Sequence, residues 1–182
     1  MKVLIPLAEG FEEVEFVTVL DILRRAEIEV VTAALIKSPV EGAHKLKVMA
    51  DTTLDQVHAA DFDALVLPGG FPGFVNLGND RRVVSLVKEM DRAGKWIAAI
   101  CGAPSVLVLA GVLKGRTATV NPAGIEQVSS CATYSPQRVV VDGRLVTSQA
   151  VGTALEFALR LVELWAGRER AKKIQAAVLA RV

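Results

Sequence analysis

The chain has 182 residues, 52% of them hydrophobic, with 21 basic and 20 acidic side chains and a formal net charge of +1. That length suits one domain with a sizeable core, and balanced charge with 5% aromatics offers neither a basic nor a base-stacking surface for nucleic acid or an anionic membrane. Met1–Leu7 has one basic residue and too short an apolar run for a signal peptide, Glu156, Arg160 and Glu163 interrupt the apolar stretch Leu155–Trp165, and two cysteines make neither a disulfide framework nor a metal site. A cytoplasmic chain with free thiols at Cys101 and Cys131 is expected.

The pattern along the chain is apolar strand, amphipathic helix, apolar strand, without internal repeat or linker. Lys2–Leu7 reads as a buried strand, Glu12–Ala26 as a helix and Glu29–Ala33 as a second strand. Val40–Met49, with Glu41-Gly42 inside it, fits either a hairpin or a loop. Ala64–Leu67 is a strand that ends in Pro68-Gly69-Gly70. Asp80–Ala93 is a helix, Trp96–Ile100 a strand and Ala103–Ala110 a helix. Arg116–Val120 and Arg138–Val141 are strands, and Val140–Val146 turns at Asp142-Gly143 as a hairpin. Thr153–Trp165 and Glu169–Leu179 are the last helices. Continuous apolar strands alternating with helices imply a mostly parallel sheet covered on both faces. Sites in such sheets lie beyond the carboxyl ends of the strands, which marks Ala8–Phe11, Pro68–Gly73 and Cys101–Pro104.

Of these, the segment Trp96–Pro104 runs from a buried strand straight into a helix. Gly102 and Ala103 keep the turn small, and proline at Pro104 suits a first helical turn. The arrangement follows the logic of a nucleophile elbow, which presents a side chain at the top of the sheet. A helix N-terminus beside the sulfur favours thiolate, so the Cys101 pKa is expected below about 8.5. The backbone of Pro68–Gly73, with Gly69 and Gly70 lacking side chains, suits an oxyanion hole or a cradle for oxidised sulfur.

A carboxylate falls on the wrong face of the first helix. At about 100° per residue, Phe11, Phe16, Val19, Leu20, Ile22 and Leu23 form an apolar half, and Glu15 lies inside it. A buried Glu without a partner is rare, and desolvation there raises its pKa toward the neutral acid. Because this helix follows the first strand, Glu15 is expected beside Cys101, where it can donate or hold a proton. His58 reads as a surface residue, Cys131 as an idle thiol, and Arg168–Lys173 as a solvated face. His44, in the hairpin region, can reach the site only by folding over it.

The runs Ala8-Glu9-Gly10-Phe11-Glu12-Glu13-Val14-Glu15, Leu67-Pro68-Gly69-Gly70 and Ala98-Ala99-Ile100-Cys101-Gly102-Ala103-Pro104, with Thr147-Ser148 and Gly152-Thr153, together resemble the ThiJ/PfpI superfamily, in the branch of the Parkinson-linked protein deglycase (DJ-one-like). The resemblance covers nearly the whole chain. It implies a flavodoxin-like three-layer α/β/α sandwich, a homodimer and cofactor-free chemistry without metal. It also implies Cys101 as nucleophile and oxidation-sensitive thiol, Glu15 as its protonated partner, and Gly70 with Gly102 around an oxyanion site. Family activities include glyoxalase action on methylglyoxal, protein deglycation, chaperone action and peroxide sensing, and older descriptions tie some members to thiazole monophosphate biosynthesis.

Three departures bear on activity. Asn121-Pro122 stands where many relatives have His-Pro, His44 where relatives have an arginine, and Gln149-Ala150-Val151-Gly152 lacks an arginine and proline usual in the branch. Asparagine can hydrogen-bond but cannot act as a general base. Gly102 occupies the place of the histidine that follows the cysteine in the related proteases, which excludes peptidase and amidotransferase chemistry. Two readings follow: a cysteine-dependent enzyme acting on small α-oxoaldehydes, or a non-enzymic redox-sensing or chaperone dimer.

Overall fold

The computed structural model describes residues 1–181. Its centre is a seven-stranded sheet. In chain order the strands are β1 (Lys2–Leu7), β2 (Glu29–Ala34), β5 (Thr52–Thr53), β6 (Ala64–Leu67), β7 (Trp96–Ile100), β10 (Val139–Asp142) and β11 (Leu145–Ser148). Their spatial order is β10-β11-β7-β6-β1-β2-β5, and every neighbouring pair is parallel except β10 with β11. The antiparallel pair is the expected hairpin, turning at Asp142 and Leu145.

Helices cover both faces, as continuous apolar strands require. One face packs Val3, Ile5, Val66, Ala98 and Ile100 against α1 (Glu13–Arg25), α6 (Ala154–Ala166) and α7 (Arg168–Ala177). The other packs Leu4, Leu65, Leu67, Ile97 and Ala99 against α2 (Gly73–Asn79), α3 (Arg81–Arg92), α4 (Pro104–Leu109) and α5 (Ile125–Ser129). The result is the three-layer sandwich expected from the sequence. Among the described residues no helix is long and apolar enough to cross a membrane.

Several smaller elements differ from the sequence reading. Val40–Met49 is a hairpin, but its ladder is short: β3 (Val40–Glu41) against β4 (Lys47–Val48). The strand expected over Arg116–Val120 shrinks to β8 (Thr117–Ala118), which leaves the main sheet and pairs with β9 (Thr133–Tyr134). The side-chain hydroxyl of Thr147, on the adjoining strand, takes the Thr119 N–H at 2.9 Å and so replaces a ladder bond. The helix expected over Ala103–Ala110 has six residues. Helices α2 and α5 were not expected, since Gly73, Gly78 and Asn76 are poor helix formers and α5 spans only five residues.

The chain passes from β1 to β2 on one side, then crosses to β6 on the other side of β1. The order therefore reverses between β1 and β6, and their carboxyl ends open a crevice there. The turns after β1, β6 and β7 meet at that point.

Candidate active site

Cys101 follows directly on β7 and adopts φ 64°. For a residue with a Cβ this left-handed conformation costs about 1–2 kcal/mol, so the neighbours must hold it. They do so on both sides: the Cys101 N–H donates to the Ser148 carbonyl at 3.0 Å, and the Asn121 N–H donates to the Cys101 carbonyl at 3.0 Å. The elbow expected from Trp96–Pro104 is present in this strained form. Cys101 is half-buried, and its thiol is free.

Glu15 is wholly buried on α1. Its Oε2 accepts the Gly69 N–H at 3.0 Å, while Oε1 has no partner among the described residues. A Cβ placed on Gly69 would come within 2.6 Å of both Cys101 Cβ and Glu15 Oε2. The two functional side chains thus flank a glycine because nothing larger fits between them. Gly70 has φ 91°, and a Cβ there would stand 2.1 Å from the Glu12 nitrogen, so this turn needs glycine for both conformation and space. The backbone N–H groups of Gly70 and Gly102 act on the Cys101 sulfur to lower its pKa.

The electrostatics correct one expectation. Cys101 is expected as a low-pKa thiol with Glu15 as its protonated partner, but its pKa is raised. Burial, then the charge of Glu15, then its hydrogen bond push the thiol up to about 12, and the Gly102 and Gly70 amides pull against this. Helix α4 is too short to oppose them with a large dipole, with six residues. Glu15 itself is raised to about 7, chiefly by burial, against hydrogen bonds from Cys101 and Gly69. Protonating Glu15 removes two of the three causes that hold the thiol up. The protonation of one acid therefore decides the reactivity of the other.

A cavity of about 400 Å3 opens beside Cys101. Glu12, Phe71, Phe74, Gly102 and Asn121 are among its walls, as is Gly70. Asn121 reaches the cavity, but its Oδ1 accepts the Ala123 N–H at 3.1 Å and caps the short turn Pro122–Gly124. Gly69 lies behind the cavity wall, between Glu15 and Cys101.

His44 does not line the cavity. Its ring Nδ1 lies 2.9 Å from Glu13 Oε2 and 3.7 Å from Glu12 Oε2, and its backbone N–H donates to Glu13 Oε1 at 2.6 Å. The hydrogen bond to Glu13 and the nearby Glu12 raise the His44 pKa. Burial alone would raise Glu13, but His44 and backbone N–H groups outweigh it and hold the carboxyl below its ordinary value. His44 therefore touches the site through Glu12. His58 is exposed, and Cys131, just after α5, is not among the cavity's lining residues and has its sulfur 3.7 Å from the Val128 carbonyl.

Sequence reasoning missed Glu12, Phe71 and Phe74 as cavity residues. Glu12 carried a usable signal, since it lies three residues before Glu15 on the same helix face. Phe71 carried a weaker one, an aromatic side chain inside a glycine-rich turn.

A profile of the DJ-1/PfpI family matches residues 1–164. Protein DJ-1 homolog A of Arabidopsis thaliana is 41% identical over 180 residues, which is 98% of this chain and 46% of that protein. The chain thus spans about half the length of that relative. The deglycase TK1284 of Thermococcus kodakarensis is 37% identical over 166 residues, 90% of this chain and 99% of that protein. The crystal structure of Drosophila melanogaster DJ-1beta superposes with a TM-score of 0.95 at 39% identity, covering 100% of this chain and 98% of that one.

Proposed function

Because the chain belongs to the DJ-1/PfpI family, we propose that it is a cysteine-dependent glyoxalase or deglycase acting on small α-oxoaldehydes such as methylglyoxal, without a cofactor. The observation that carries this reading is the buried Glu15 carboxyl held against Cys101 across Gly69. A group with a pKa of about 7 exchanges protons efficiently near neutral pH in either direction.

In the proposed reaction the Cys101 sulfur attacks the aldehyde carbon while Glu15 takes the thiol proton. A C–S bond forms, and the carbonyl oxygen is protonated to give a hemithioacetal. The Gly70 and Gly102 amides would stabilise the negative charge that develops on that oxygen. Glu15 then removes the C1 hydrogen as a proton to give an enediol and returns it to C2, while the C1 hydroxyl proton passes to the C2 oxygen, leaving a thioester of the 2-hydroxy acid. Water attacks the thioester, the C–S bond breaks, and the proton returns to sulfur. Atoms balance as aldehyde plus water giving hydroxy acid, with no external oxidant. Incubation of the purified protein with methylglyoxal should form lactate, and Cys101→Ser should form none. Absence of lactate from the wild type overturns the reading.

One observation favours a second reading, a redox-responsive dimer. Asn121 is engaged in capping a turn and offers no base, and in this reading the site serves chiefly to hold Cys101 once peroxide has oxidised it to sulfinate. Mass spectrometry after mild peroxide should then find sulfinate mainly on Cys101. Equal oxidation at Cys131 counts against this reading.

A further inference from the structure

The cavity beside Cys101 is larger than a three-carbon aldehyde needs. At about 400 Å3 it falls in the range of about 300–1,000 Å3 that accommodates drug-sized ligands. One wall of this space is aromatic. Phe71 and Phe74 have ring centroids 6.3 Å apart and planes tilted by 57°. Phe74 is fixed against the cysteine turn: a Cβ on Gly102 would lie 2.6 Å from its Cδ1 and Cε1. Phe71 leaves 74% of its surface exposed on a turn pinned to the β1 loop, where the Gly73 N–H donates to the Gly10 carbonyl at 3.2 Å. Together with Phe74 it gives the cavity beside the reactive sulfur an apolar, aromatic wall of the kind that lines ligand pockets. The same cavity also carries the Glu12 carboxyl, which repels an anionic substituent.

We propose that Phe71 and Phe74 form a substituent subsite, selecting α-oxoaldehydes that carry an aryl or bulky apolar group over methylglyoxal and over the acidic glyoxylate. This rests on the glyoxalase reading above for its reaction but not for its geometry. With the aldehyde carbon at Cys101 Sγ, an aryl substituent would extend toward the two rings and stack edge-to-face or offset, as tilted aromatic pairs prefer. The methyl of methylglyoxal is too short to fill that wall.

The test has two arms. In the first, kcat/KM is measured for phenylglyoxal, methylglyoxal and glyoxylate with wild type, Phe71→Ala and Phe74→Leu. The wild type should prefer phenylglyoxal. Phe71→Ala should lower its phenylglyoxal-to-methylglyoxal ratio roughly three- to tenfold, the range of a lost aromatic contact. An unchanged ratio, or a wild type that prefers methylglyoxal or glyoxylate, overturns the subsite. In the second arm, Cys101 is alkylated with iodoacetamide or N-phenyl iodoacetamide, and the modified peptide is quantified by mass spectrometry. The rate ratio of the two reagents, normalised to glutathione, should exceed one and fall in Phe71→Ala. This arm needs no turnover. A wild type inactive on every aldehyde therefore defeats the glyoxalase reading, while the alkylation ratio still decides the subsite: a normalised ratio of one or below, or one that Phe71→Ala leaves unchanged, overturns it.

Discussion

Glu15 and Cys101 behave as one titrating unit, and the consequences can be measured at Glu15. Its folded-state pKa of about 7 lies above the ordinary value of 4.5. The folded state therefore binds the extra proton between these values, and stability falls as pH rises through that window. Below about pH 4.5 the carboxyl is neutral in both states and the penalty is absent; above about pH 7 the penalty is complete. Glu15→Gln removes it, so urea unfolding should show a gain that grows from pH 5 to pH 8 and reaches at most about 3 kcal/mol. An equal change at both pH values would rule out the assigned shift. The same variant should lose turnover, because an amide cannot shuttle a proton. At Asn121 the expectation is opposite. A histidine there gives up the cap on the Ala123 N–H that Asn121 Oδ1 now accepts and can present an unprotonated ring nitrogen to the cavity. General acid–base assistance is worth about 10²–10⁴-fold, so Asn121→His should raise kcat with methylglyoxal. No gain in a correctly folded variant would show that Glu15 alone handles the protons.

Helix α2 governs the site at the level of elements, because it carries Phe74 and seals the crevice between the β1 and β6 turns. Its position depends on Gly73. A Cβ on Gly73 would stand 2.6 Å from the Phe11 nitrogen and 2.7 Å from the Gly10 carbonyl carbon and oxygen, all backbone that cannot swing aside. Gly73→Ala should cost about 1–3 kcal/mol through overpacking and displace Phe74 from the cysteine turn. Gly78 gives the contrast on the same helix. Its Cβ would meet Leu109 Cδ1 at 3.0 Å and Val106 Cγ2 at 3.7 Å, side-chain atoms that can shift. Gly78→Ala should be neutral or stabilising by up to about 1 kcal/mol from helix propensity. Equal denaturation midpoints for the two variants would mean that the β1 turn yields more readily than its packing indicates.

For the whole molecule, α1 presents two faces. One buries Phe16, Val19, Ile22 and Leu23 in the core. The other leaves Val14 and Val17 exposed at 48% and 42%, an apolar strip against which a second copy could pack. A homodimer is the expected state, and sedimentation at micromolar concentration should return twice the chain mass. Val17→Asp should shift the protein toward monomer without unfolding it, since the side chain contributes little to the core. A monomeric wild type would remove the dimer from the proposed function.

The sheet and the cysteine elbow were legible in the sequence because their determinants are local. β6, β7 and β1 after Lys2 are apolar throughout, and a strand buried on both faces needs no partner information to be recognised. Cys101 was marked by its strand-to-helix position. Glu15 was marked by a helical period that places a carboxylate among Phe16, Val19 and Ile22. What the sequence left undetermined depends on distance between remote segments. Glu15 meets the Gly69 amide across 54 residues, and the burial of Glu15 beside Cys101, which raises both pKa values, exists only once these segments meet; a reading based on the helix end alone put the thiol shift in the wrong direction. The alignment of His44 with a family arginine said nothing of its attachment to Glu13, 31 residues away. Helices α2 and α5 are too short or too glycine-rich to form by propensity, and packing supplies what propensity lacks. The Phe71–Phe74 wall arises because three turns converge where the sheet order reverses. Periodicity and turn chemistry report energies between near neighbours in sequence, whereas desolvation, steric exclusion and cavity shape are fixed only when the chain has closed.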